Sequence, residues 1–111
     1  MSQQSQNQIE PTQDYYQSFT HSVATTGGTT GVAIAANVSR RYLLIQNNDA
    51  TDPAFIKIGA AAVANQGIKI VAGGSYEMSR RNGNLSTEAV NCIQGNSAEV
   101  LLITEGVNRT S

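Results

Sequence analysis

The sequence predicts an all-β protein: a small antiparallel β-sandwich of about eight short strands, preceded by an extended polar N-terminal arm. Three observations carry this expectation. From Thr20 onward, short runs of β-branched and other apolar residues recur at intervals of about eight to twelve positions, separated by clusters of Gly, Asn, Asp and Ser. No apolar repeat of helical period is sustained anywhere. The chain has 111 residues with 24 Leu, Ile, Val and Phe among them, enough for one core and one domain.

Residues 1–19 stand apart. They hold six of the nine Gln residues, and their only apolar or aromatic side chains besides Pro11 are Met1, Ile9, Tyr15, Tyr16 and Phe19. Such a segment cannot repay its own ordering entropy. It reads either as a mobile tail or as an arm that orders on a neighbouring molecule through Ile9, Tyr15, Tyr16 and Phe19. The division expected is an arm over 1–19, a sandwich over 20–106 and a short tail over 107–111.

Within the sandwich the expected strands are 21–25, 31–36, 41–47, 54–58, 67–71, 75–79, 88–93 and 99–104. Alternation assigns their faces, because neighbouring side chains of a strand point to opposite sides. Ala54, Ile56 and Ile58 share one face, with Phe55 and Lys57 on the other. Ile68 and Ile70 oppose Lys69, and Tyr76 and Met78 oppose Glu77. Leu43 to Ile45 and Val100 to Ile103 are instead apolar on both faces, which places these two strands at the centre and marks their outward residues as surface to be covered.

Between the strands, Gly73-Gly74 and Asn82-Gly83 are turn signals. Pro53 cannot donate to a ladder, so it should precede pairing. Residues 60–64 are too short to nucleate a helix and read as a loop.

Composition narrows function. Only 14% of residues are charged, against roughly 25% in an average soluble protein, and the formal net charge is −1. Neither nucleic acid nor an anionic membrane is favoured by that charge. No apolar stretch is long enough to span a bilayer, and the N-terminus lacks the pattern of a secretory signal, so synthesis in a cytosol is expected.

Chemistry is equally sparse. His21 stands alone, and Cys92 lies in an apolar strand where an inert buried thiol is expected. Asp49 and Asp52 share a turn before Pro53. Two acids in one loop lack the oxygen count of a strong calcium site, so turn capping is the expected role. The Gly pairs do not fit a phosphate loop. The sequence thus assigns no catalytic residues, no cofactor and no metal. The two Ser-Arg-Arg triplets place Arg40, Arg41, Arg80 and Arg81 at strand borders, either as solvated edge charges or as docking groups for acidic or carbonyl-rich patches of a partner.

The segment RRYLLIQNNDATDPAFIKIG, followed by GIKIVAGGSYEMS and AEVLLITEG, resembles a pattern in small virion proteins of tailed bacteriophages. It is most similar to the decoration or staple proteins of epsilon 15-like short-tailed phages. The resemblance spans residues 39–106 and is one of pattern. It implies a non-enzymatic jelly-roll subunit on the outer capsid surface that pins neighbouring major capsid protein subunits together and associates with itself as a dimer or trimer. An alternative is a tail- or head-fibre-associated virion protein whose sandwich binds host-surface glycans.

Overall fold

The computed structural model describes residues 17–96 and 98–108. Its eight strands are β1 (Gln17–Ala24), β2 (Gly31–Ile34), β3 (Arg40–Asn47), β4 (Ala54–Ile58), β5 (Ile68–Ile70), β6 (Ser75–Ser79), β7 (Val90–Gln94) and β8 (Leu101–Asn108). They form two four-stranded sheets, in the orders β1-β8-β3-β6 and β2-β7-β4-β5. All pairings are antiparallel, and each strand pairs with its counterpart counted from the other end of the chain: β1 with β8, β2 with β7, β3 with β6, β4 with β5. The chain is an antiparallel ribbon folded over into a β-sandwich.

The core follows from the alternation. Leu43 and Ile45 of β3, Met78 of β6 and Leu101 and Ile103 of β8 face Ala54 and Ile56 of β4, Ile70 of β5 and Val90 and Cys92 of β7, and all are buried. Each large aliphatic side chain so buried stabilises the fold by roughly 1.5–3 kcal/mol. The two-sided apolar strands, β3 and β8, are the central pair of their sheet. Pro53 stands immediately before β4, and residues 60–64 form a loop.

Turn chemistry closes the ribbon. Gly73 takes a φ of 75°, and the Gly74 amide donates to the Val71 carbonyl at 2.8 Å, which turns the chain from β5 into β6. Gly83 takes a φ of 77° in the turn after β6, where its amide donates to the Arg80 carbonyl at 3.1 Å.

The strands at the chain ends are longer than alternation alone suggested. β1 begins at Gln17 and β8 runs to Asn108, paired in continuous register from Gln17 opposite Asn108 to Ala24 opposite Leu101. The polar run 17–20 is therefore strand, and Phe19 belongs to the sandwich rather than to an arm. The boundaries expected at 19 and 107 shift accordingly. Of the proposed anchors, Ile9, Tyr15 and Tyr16 lie outside the described residues, as do positions 109–111.

Candidate functional site

Three places on the sandwich gather the polar or interaction-capable side chains: the outer face of the β1-β8-β3-β6 sheet, and the two ends of the β3–β8 pair.

The outer face is built in rungs by the register. Phe19, Gly106, Tyr42 and Ser79 form one rung; His21, Thr104, Leu44 and Glu77 the next; Val23, Leu102, Gln46 and Ser75 the third. Gly106 has no side chain, so Phe19 and Tyr42 meet over it edge to face with ring centroids 6.0 Å apart. Phe19 is 50% exposed and Val23 62%, while Tyr42, Leu44 and Leu102 are half-buried. A shallow depression of about 310 Å³ between His21, Val23, Gln46 and Leu102 completes the surface. The Tyr42 hydroxyl donates to Glu77 Oε2 at 2.5 Å, and that bond, with partial burial, pushes the phenol pKa up to about 12. His21 is exposed and shares a hydrogen bond with Thr104 Oγ1 at 3.0 Å.

One end of the β3–β8 pair is closed by Arg40. Its Nε donates to Glu105 Oε2 at 2.7 Å, its Nη1 to the carbonyls of Ser86 and Glu88 at 2.8 Å each, and its Nη2 to the Ala35 carbonyl at 2.8 Å. Asn37 Nδ2 donates to the other Glu105 oxygen at 3.3 Å. Arg40 is 0% exposed. Its guanidinium is consumed in tying β8 to the loops before β3 and before β7, so the expectation that it docks on a partner is corrected: no surface of it remains to be offered. The other three arginines stay outside. Arg41 is half-buried and bonds the Arg40 and Val38 carbonyls. Arg80 and Arg81 are exposed in the turn after β6, and the pairing of Tyr42 with Ser79 brings that turn to the same end as Arg41.

The opposite end is acidic. Asp49 Oδ2 accepts from the amides of Thr51 at 3.1 Å and Asp52 at 2.7 Å, the geometry of a turn cap. These amides hold the Asp49 carboxyl below the ordinary aspartate range. Asp52 accepts a hydrogen bond from Asn96 Nδ2. Glu99, which leads into β8, is 0% exposed; its Oε1 accepts from the Gly95 amide at 2.7 Å, while its Oε2 is buried with no hydrogen-bond partner among the described residues. Burial pushes the Glu99 carboxyl up, and the charges of Asp49 and Asp52 push the same way, against the opposing Gly95 amide and Asn47 side chain. One carboxylate oxygen from each of Asp49, Asp52 and Glu99 lies within 4.8 Å of the others. Two aspartates were legible in the sequence; the third acid, brought in by the pairing of β3 with β8, was missed.

Two buried amides fix this end. Asn47 Nδ2 donates to the carbonyls of Asp52 at 2.9 Å and Ile70 at 3.0 Å, and its Oδ1 accepts from the Asp49 amide at 3.1 Å. Gln94 Nε2 donates to the carbonyls of Glu99 at 3.0 Å and Ala24 at 3.3 Å, and its Oε1 accepts from Thr26 Oγ1 at 2.9 Å and the Gly27 amide at 3.1 Å. Cys92 lies beneath, 0% exposed, and burial pushes its thiol pKa up.

No family model matches the chain, and no curated protein matches it. Among solved structures, a chain from Bacillus endospore appendages, described as a novel family of disulfide-linked pili, superposes with a TM-score of 0.50 at 17% identity, over 85% of this chain and 88% of that one. At that identity the likeness is one of fold.

Proposed function

We propose that the protein is a non-enzymatic virion structural subunit that decorates the outer surface of a bacteriophage capsid and staples neighbouring major capsid protein subunits together. The observation that carries this reading is the outer face of the β1-β8-β3-β6 sheet, where Phe19 and Val23 are exposed beside half-buried Tyr42, Leu44 and Leu102. A sheet face on which exposed apolar and aromatic side chains alternate with polar ones is surface suited to being covered by protein. β1 lies at the edge of this sheet, and the proposed anchors Ile9, Tyr15 and Tyr16 precede it in the sequence. Joining a sheet face and an arm raises avidity through effective concentration.

The winding of the eight strands supports a jelly-roll reading, because rolling a ribbon pairs first with last and second with seventh. The superposing appendage chain belongs to an assembly described as disulfide-linked. Here the single cysteine is buried, so self-association of this chain, as a dimer or trimer, rests on noncovalent surface.

The test is reconstitution on shells that lack the protein. Wild type should bind over the whole shell and raise its thermal stability by mass action. V23D combined with F19S, both at exposed positions of the edge strand, should keep the unfolding midpoint of the isolated protein near that of wild type and lose shell binding. Binding confined to a single vertex, or to host glycans instead of shells, or undiminished in the double variant, would overturn the proposal.

A further inference from the structure

We propose that Asp49, Asp52 and Glu99 form a calcium-binding site at the end of the sandwich where β3 leaves its sheet and β8 enters it. Geometry supports an ion of that size. Calcium takes its oxygen ligands at 2.3–2.6 Å, so two oxygens on one ion stand at most roughly 4.6–5.2 Å apart. The three carboxylate oxygens, all within 4.8 Å of one another, fall inside that limit.

The acids alone do not make the argument. Glu99 is 0% exposed and keeps one carboxylate oxygen, Oε2, buried with no hydrogen-bond partner among the described residues. Leaving a buried carboxylate oxygen unpaired is costly. A divalent cation between Glu99 and the two aspartates supplies the missing partner. The surroundings are also held in place, since Asn47 and Gln94 lock both contributing loops through buried hydrogen bonds. Three hard carboxylate donors and no nitrogen or sulfur ligand favour calcium over softer metals. Asp49 and Asp52 are half-buried, leaving room for water to fill the remaining coordination positions.

A site with three acids, two of them half-buried, should bind in the range of about 0.1–1 mM, the regime of weak extracellular-type calcium modules. The experiment uses the full chain, first treated with chelator, and calcium chloride as the probe. Titration calorimetry should give one ion per chain, and the thermal unfolding midpoint should rise with calcium concentration. D49N retains the turn-capping oxygen and should lose the calcium response. E99Q should lose it too, while in chelator it unfolds no earlier than wild type, because it removes a buried charge without changing shape. No heat and no midpoint shift in wild type at millimolar calcium would overturn the proposal. An equal shift with magnesium chloride at the same concentration would overturn it as well, since that is charge screening. A full calcium response retained by both D49N and E99Q would do the same.

Discussion

Glu99 and Glu105 bracket one inward-facing stripe, with Leu101 and Ile103 between them, and the fold treats the two acids in opposite ways. Glu105 is met by Arg40, whose remaining nitrogens are spent on three backbone carbonyls. Glu99 is met by two more acids and holds an unpartnered oxygen. At the arginine end Arg40 and Glu105 answer each other from within, so that pair serves the fold. At the acid end one buried carboxylate oxygen has no hydrogen-bond partner among the described residues, and the proposed ion would supply that partner from outside. The contrast separates structural polarity from polarity available for a ligand, a distinction that exposure or charge alone would not draw.

Breaking the arginine end should have the largest effect. R40M leaves Glu105 buried without its partner and should cost about 3–5 kcal/mol in urea unfolding. Adding E105L should recover much of that loss, because removing both partners together removes the uncompensated charge; no recovery would mean that the carbonyl contacts dominate. Next comes the scaffold of the acid end. Q94L strands the Gly27 amide and the Glu99 carbonyl and should cost about 1–3 kcal/mol, with hydrogen exchange accelerating at Gly27 before it does at Gly106.

Smaller still is the response of Cys92. Buried beneath the scaffold with its pKa raised, it should react with a thiol reagent only through opening of the sandwich, so the logarithm of its rate should fall linearly with added stability. Prompt reaction in native buffer would show that the core between the sheets is open. The smallest effect lies on the outer face. Tyr42 stays neutral in the fold to about pH 12, so the stability that its bond to Glu77 contributes is present below the ordinary tyrosine pKa and is lost as pH rises between about 10 and 12. Phenolate absorbance should therefore contain a late-titrating component from Tyr42, and E77Q should bring that component back towards the ordinary tyrosine value.

Much of this was legible in the sequence. Alternation set Ile56, Ile70 and Met78 opposite Lys57, Lys69 and Glu77, and the two-sided apolar runs marked β3 and β8 as central without saying which of their faces is the inner one. The signal failed where a partner strand decides. Residues 17–20 are polar by composition, yet pairing with 105–108 makes them strand and sets Phe19 over Gly106.

Arg40 misleads for a different reason. In phase with Leu43 and Ile45, the inward place belongs to position 41, but the register between β3 and β8 shifts between Arg40 and Tyr42, and Arg40 is the buried residue. Glu99 shares the parity of Leu101 and Ile103 and so reads as inward. What one strand could not reveal is that Asn47 pairs with Leu101, which carries the turn holding Asp49 and Asp52 to the same end as Glu99.

The difference between the two ends is tested most directly by following backbone amide resonances of the chelator-treated protein during a calcium chloride titration. The amides of Thr51, Asp52 and Gly95, which already face the carboxylates, should move in a saturable way, while those of Asn37, Arg40 and Gly106 stay in place. Shifts spread equally over both ends, or none at either, would contradict the account.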